Sequence, residues 1–308
     1  MHEQTDRNTE SHAPSAGADG KSAVIAVIGR PSVGKSTLIN RLCGHPVSIV
    51  TTVPQTTRNR IRAIITESRG QLVLIDTPGY HNSDKKFNRA MGSLVTEELE
   101  DADVVLAMLD MSREGGQEEQ TLLATVAPYT GKTVIGLNKV DSACRTVLSV
   151  TEQMPVSSDR VIPFSAMSGE GTEQLLTLLF EMSPSGPPMY PPEYYTDQEP
   201  SFRISEVIRE QAMVRTREEV PHALYVDVFE IKSPPGGERL DARAVIYTER
   251  EAQKGIIVGE RGKMIRAIRI ASETKLREVF ERPVGLELRV KVHPKWRNRD
   301  RTIGKLIR

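Results

Sequence analysis

The stretch Gly29-Arg30-Pro31-Ser32-Val33-Gly34-Lys35-Ser36-Thr37, directly behind the apolar run Ala23-Val24-Ile25-Ala26-Val27-Ile28, decides how this chain is read. It fits G-x-x-x-x-G-K-[ST] in the context that pattern requires, a buried strand before it and a helical stretch, Lys35 to Leu42, after it. Glycines at 29 and 34 let the backbone curl so that successive N–H groups face phosphate oxygens, and the following helix adds its positive end. Lys35 would reach the outer phosphates and the Ser36 hydroxyl would hold Mg²⁺. The plain alternative is a strand-to-helix turn that binds nothing. The loop implies a nucleoside triphosphate without choosing the base.

Outward from this loop, Ser22 to about Ser183 alternates strand-like and helix-like runs. Strands are expected near Ala23–Ile28, Arg60–Ile65, Leu72–Ile75, Val104–Leu109, Thr133–Leu137 and Val161–Phe164, helices near Lys35–Leu42, Asn88–Leu99, Gln117–Val126 and Thr172–Glu181. That alternation predicts an α/β domain over 22–183, a mostly parallel sheet covered on both faces, with ligands beyond the carboxyl ends of its strands.

Three further motifs fall at those ends. Asp76-Thr77-Pro78-Gly79 closes the strand at Leu72–Ile75, where Asp76 would help hold Mg²⁺ and the Gly79 N–H would bond a γ-phosphate. Without the phosphate loop, Thr-Pro-Gly would be a plain turn. Asn138-Lys139-Val140-Asp141 closes Thr133–Leu137; a carboxylate at 141 can accept from both the ring N–H and the amino group of guanine, an arrangement adenine lacks. Ser165-Ala166-Met167 could offer backbone N–H groups to the base carbonyl. Between the loop and the second strand, Pro54-Gln55-Thr56-Thr57-Arg58-Asn59-Arg60 is long enough to fold over a γ-phosphate, with Thr57 donating to Mg²⁺ only when it is present. A connecting loop with no such role is the alternative there.

Length and composition frame these motifs. At 308 residues two domains are expected. The net charge of zero divides unevenly: from Pro200 onward 24 Lys+Arg face 16 Asp+Glu, against 17 and 25 before it, so the second part is suited to a polyanion. Two cysteines, Cys43 and Cys144, argue for neither a disulfide framework nor a metal site. No apolar run approaches bilayer length and the N-terminus has no apolar signal core, so a cytoplasmic protein is expected. Residues 1–21 are polar and aperiodic and are expected to be disordered. Residues 184–200, rich in proline, read as a stiff linker whose Tyr190, Tyr194 and Tyr195 either dock on one of the domains or stand exposed.

Beyond the linker the pattern changes. A helix near Phe202–Met213, strands near Ala223–Ile231 and Ala242–Glu249, Gly259-Glu260-Arg261-Gly262, a helix to about Glu281 and a strand near Leu286–Val292 span 201–295. Lys263, Arg266 and Arg269 follow the glycine pair, and Ile256-Ile257-Val258 precedes it. Two glycines flanking an arginine at a helix start let a nucleic-acid backbone approach closely. This region resembles a K-homology (KH) domain, an α+β fold in the order helix, strand, strand, helix, helix, strand, here of type II. The resemblance implies that the loop clamps about four nucleotides of single-stranded RNA beside an apolar groove. In the basic tail, 296–308, Trp296 is either a hydrophobic plug or a platform for a base; a contact with an anionic membrane surface is another use of such a cluster.

In this order, GRPSVGKST, QTTR, DTPG, NKVD and SAM resemble the translation-factor-like GTPases, and with the KH-like part they resemble the bacterial Era family over most of Ser22 to about Lys295. The resemblance implies a P-loop GTPase domain with GTP or GDP and Mg²⁺ as cofactors. It implies a monomer whose partners are small-subunit ribosomal RNA near its 3′ end and the small subunit itself, during that subunit's maturation. Tyr80 stands where Ras-like enzymes carry a water-orienting glutamine, which implies slow intrinsic hydrolysis. Ser32 stands where potassium-stimulated relatives often carry an asparagine that helps bind a monovalent cation; serine is shorter, so the resemblance does not decide potassium dependence. An ATP-dependent enzyme is the first competing reading, opposed by Asn138 and Asp141. The second is a GTPase whose C-terminal domain docks to protein or membrane.

Overall fold

The computed structural model describes residues 20–50, 59–77, 95–142, 156–234 and 237–299, together with 302, 304 and 306. The expected tail to residue 19, residues 54–58 of the loop with Thr57, and Pro78, Gly79 and Tyr80 lie outside the described residues.

Six strands form the first sheet: β1 (Lys21–Gly29), β2 (Ile61–Glu67), β3 (Gly70–Asp76), β4 (Val104–Asp110), β5 (Thr133–Asn138) and β6 (Val161–Phe164), in the order β2-β3-β1-β4-β5-β6. All neighbours run parallel except β2 and β3, which are antiparallel because only residues 68 and 69 join them. The central strands are apolar on both faces, as a sheet covered on both sides demands: in β1, Ile25 and Val27 face one core while Ala26 and Ile28 face the other. On the first side lie α1 (Lys35–Cys43) and α4 (Thr172–Met182), which bury Leu38, Ile39, Leu175 and Leu179. On the second lie α2 (95–101) and α3 (Gln117–Val126), with Leu99, Leu122 and Val126. The cores therefore fix the register that aligns the strand ends: Val27 beside Asp76, Gly29 beside Met108, Asp110 beside Asn138, and Asn138 beside Phe164.

The second unit has a sheet β7 (Tyr225–Lys232), β8 (Leu240–Thr248) and β9 (Val284–Val292) in that order, β7 antiparallel and β9 parallel to β8. Its core joins these strands to α5 (Pro200–Arg215) and α8 (Lys263–Phe280) through Ile204, Ile208, Ile246, Ile268 and Leu276. A four-residue helix, α6 (Val220–Ala223), takes up the start of the expected strand at Ala223, and α7 (Glu251–Val258) links β8 to the glycine pair. This is the expected helix, strand, strand, helix, helix, strand order with one short helix added. Trp296 is 0% exposed, donates its Nε1–H to the Ala223 carbonyl at 2.9 Å and sits edge-on to Tyr225. It is a plug, not a platform.

The Pro-rich segment is not a free spacer. Ser22 N–H donates to Pro184 O, Ile64 N–H to Tyr195 O, and the buried Gln71 side chain accepts from Met189 N–H and Tyr190 N–H, both at 2.8 Å. Tyr195 stacks on His45 at 4.1 Å. Proline removes donors but leaves carbonyls, and this strap uses both its carbonyls and its remaining N–H groups against the first domain. Among the described residues no helix is long and apolar enough to cross a membrane.

Candidate functional site

Among the described residues, the motif positions at the strand ends reach the same edge of the sheet. β1 ends at Gly29, and α1 begins behind Gly34, whose φ of 104° and ψ of 21° suit glycine. Lys35 is buried and its Nζ donates to the carbonyls of Gly29 at 2.9 Å and Arg30 at 3.2 Å, which folds the side chain back over the loop. Burial pulls the Lys35 ammonium down to about 8, against the opposing charge of Asp76. Ser36 Oγ donates to Asp76 Oδ2 at 2.7 Å, so a hydroxyl from the head of α1 and a buried carboxylate from the end of β3 meet at one point. Two hard oxygens converging beside a phosphate loop fit Mg²⁺. Thr77, the next residue, is turned inward and donates to Val27 O at 2.8 Å.

Not all members of the loop point at a ligand. Val33 is fully buried in the first core. Ser32, exposed, takes φ 63°, a left-handed conformation that serine tolerates less readily than asparagine does. The Arg30 side chain is directed to Asp110 at the end of β4, at 2.5 Å, and to Glu119 of α3, at 3.2 Å. Its backbone is the part that faces Lys35. Pro31 and Thr37 are half-buried, in the turn and the first helical turn.

At the end of β5, Asn138 is buried and works as a tie. Its Nδ2 donates to Val33 O at 2.7 Å and its Oδ1 accepts from Ala166 N–H at 2.8 Å, joining the phosphate loop to the segment after β6. Lys139 takes φ 70° and its Nζ bonds Asp110 Oδ2 at 2.7 Å. Asp141 is the middle residue of a turn of 3₁₀ helix, Val140–Ser142, and is exposed. Of Ser165, Ala166 and Met167, Ser165 N–H donates to Glu170 O and Ala166 N–H to Asn138 Oδ1, while Met167 is exposed.

Arg41, which carried no signal of its own in the sequence, braces this segment: its Nε donates to Ala166 O at 2.6 Å and its Nη2 to Met167 O. A basic residue in the last turn of the phosphate-loop helix is the only cue to it.

In the second unit Gly259 (φ 70°) and Gly262 (φ 77°) bracket Arg261, itself left-handed at φ 51°. A Cβ on Gly259 would lie 2.6 Å from Met264 Cβ, so the loop turns tightly against α8, whereas nothing lies within 4 Å of one on Gly262. Glu260, Arg261, Lys263 and Arg266 are exposed around the N-terminus of α8. Arg269 instead pairs with Glu273 at 2.7 Å, and Glu273 also accepts the Leu286 N–H at the edge of β9. Beside the glycine pair Ile256 is 48% exposed while its neighbour Ile257 is buried, which leaves one apolar side chain facing out.

The chain matches the family model described as 50S ribosome-binding GTPase over residues 24–139 and that described as KH domain over residues 219–297. GTPase Era of Treponema denticola is 44% identical over 292 residues, covering 92% of this chain and 99% of that protein. GTPase Era of Borrelia garinii is 41% identical over 290 residues, covering 93% and 99%. Among solved structures, Era in complex with MgGDPNP and nucleotides 1506–1542 of 16S ribosomal RNA has a TM-score of 0.88 at 30% identity, covering 93% of this chain and 98% of that one. An Aquifex aeolicus Era variant bound to GDP.AlF4- has a TM-score of 0.87 at the same identity and coverage. Relatives this similar span both domains in the same order, and the chain belongs to the Era family of GTPases.

Proposed function

We propose that the chain hydrolyses GTP at the β1–α1 loop and binds single-stranded ribosomal RNA through Gly259–Gly262, in the assembly of the small ribosomal subunit. One observation carries the catalytic half: Ser36 and Asp76 converge to 2.7 Å beside the buried Lys35. Lys35 supplies positive charge to the outer phosphates, and the N–H groups of the loop and of the first turn of α1 face the same oxygens. Ser36 and Asp76 would hold Mg²⁺, which when bound neutralises charge developing on the β- and γ-oxygens. Asp141 would read guanine, with Asn138 and Lys139 holding its segment in place. The parts assigned to Thr57 and Gly79, a metal contact and a γ-phosphate contact, complete this reading.

For the RNA half the support is the exposed set Arg261, Lys263 and Arg266 around two left-handed glycines at a helix start, with Ile256 beside it. The related Era structure with MgGDPNP and a 16S ribosomal RNA fragment gives the class of ligand. The test is binding of a short single-stranded RNA from the 3′ end of the small-subunit ribosomal RNA, with a GTP analogue, with GDP and without nucleotide, at two salt concentrations. Affinity that is higher with the GTP analogue, falls with salt and disappears when Glu260 and Arg261 are both changed to Asp supports the proposal. RNA affinity that survives that double change would move the RNA site elsewhere, and no binding in any state would favour a protein- or membrane-docking domain.

A further inference from the structure

β4 ends in an acid that belongs to none of the sequence motifs. Asp110 is 1% exposed, and a single oxygen, Oδ2, accepts from both Arg30 Nη2 at 2.5 Å and Lys139 Nζ at 2.7 Å. Its Oδ1 accepts from Ser112 N–H at 2.9 Å and Ser112 Oγ at 2.6 Å, which locks the carboxylate plane. Arg30 stands in the phosphate loop and Lys139 in the segment that carries Asp141. Arg30 is enclosed further by Glu119 Oε1 at 3.2 Å, on a residue also 1% exposed, and by Glu118 at 3.4 Å. Burial by itself would raise the Asp110 carboxyl, but the bonds from Lys139, Ser112 and Arg30 hold it down at about 2, so it is ionised at any working pH.

The backbone around Lys139 explains why this matters. Lys139 has φ 70°, the left-handed conformation a long side chain adopts at a cost. Asn138 before it is fixed by the two bonds of its amide, and Asp141 after it is exposed. The direction in which the chain leaves β5 is therefore set at Lys139: Met111 N–H to Asn138 O and Ser142 N–H to Lys139 O, both at 2.9 Å, fix the backbone on either side, and the bond to Asp110 fixes the side chain.

We propose that Asp110 is the positioning residue for base discrimination: by anchoring Lys139 against Arg30 of the phosphate loop, it aims the Asp141 carboxylate at the 2-amino and ring N–H groups of a guanine. This rests on the proposed guanine-nucleotide site. Hypoxanthine keeps the ring N–H and lacks the 2-amino group, so the ratio of GDP to IDP affinity reads the aim of Asp141 separately from the grip on the phosphates.

The experiment is competition of GDP, of IDP and of ADP against a fluorescent GDP analogue, on the full chain, for wild type, Asp110→Asn, Lys139→Gln and the double variant. The expected result is a fall in the GDP-to-IDP ratio of at least fivefold in each single variant, and no further fall in the double, because both changes break one tether. Equal loss of GDP and IDP in Asp110→Asn, or losses that multiply in the double variant, would overturn the inference. Should Asp110→Asn fail to fold with Arg30 left unpaired, Lys139→Gln decides alone: it leaves the Arg30–Asp110 pair intact, and an unchanged ratio would sink the idea. Wild type that prefers neither GDP nor IDP over ADP would instead overturn the nucleotide assignment itself.

Discussion

Replacing Gly34 by alanine perturbs the point where the phosphate loop meets the base-reading segment. Gly34 has φ 104°, and a Cβ added there would fall inside contact distance of Asn138 Nδ2. An L-residue in left-handed backbone costs about 1–2 kcal/mol. The cheapest relief of the contact is rotation of the Asn138 amide, which breaks its bond to Val33 O and frees Ala166 N–H, buried groups whose loss costs about 1–3 kcal/mol. The sum, roughly 3 kcal/mol, would lower the melting midpoint by roughly 6–12 °C, taking about 2–4 °C per kcal/mol for a domain of this size. Guanine-nucleotide affinity should fall by more than tenfold as well, since the displaced amide stands between Val33 and the segment after β6. Gly44→Ala is the control. Gly44 is also left-handed, at φ 73°, but nothing lies within 4 Å of an added Cβ, so only the backbone part of the cost applies and nucleotide affinity should hold. Melting curves and titration with a fluorescent GDP analogue read both quantities. A Gly34→Ala protein that melts within 2 °C of wild type, or that behaves like Gly44→Ala, would refute the collision with Asn138.

Four further outcomes follow from the packing. Gln71→Ala removes the acceptor shared by Met189 and Tyr190 N–H groups, so amide exchange at those two positions should accelerate by at least tenfold; unchanged protection would show that Gln71 does not hold the strap. The Cys43 thiol is pushed up to about 11 by burial, so in a Cys144→Ser background it should resist alkylation at pH 8 until the protein unfolds. Because its folded value lies above the ordinary one, this thiol's contribution to stability is present below pH 9 and lost as pH rises toward about 11, which denaturant titrations across that range would detect. Trp296, the only tryptophan, should emit as a buried indole and remain shielded from iodide, and a bound single-stranded RNA should not quench it by stacking; strong quenching on RNA addition would contradict its place as a plug.

What was legible in the sequence is what chemistry dictates locally. Gly29, Gly34, Lys35 and Ser36 stand at a spacing that only a phosphate loop requires, and Asp76 and Asn138 announce themselves by closing apolar runs. The glycine pair at 259 and 262 reads in the same way, because left-handed backbone leaves few alternatives. Illegible were the groups that hold these in place, since their meaning depends on partners far along the chain. Asn138 reads as part of the guanine-specifying motif, and nothing local says that its amide also ties Val33 to Ala166, 105 residues back and 28 forward. Arg30 reads only as a member of the phosphate loop, and nothing local says that its side chain pairs with Asp110, 80 residues on. The Pro-rich strap reads as a stiff linker with tyrosines free to dock or not, because proline content reports stiffness and says nothing of Gln71, 119 residues before Tyr190. One of these carried a signal all the same. Asp110 ends the apolar run Val104–Leu109 as Asp76 ends Leu72–Ile75, on the strand that β1 pairs with on its other side. In a sheet whose ligands gather at the carboxyl ends of the strands, an acid in that position is placed to work on the site even where no motif contains it. The strand-end positions form one row, Asp76, Gly29, Asp110, Asn138 and Ser165 in sheet order, and the row as a whole, more than any single motif, carries the site.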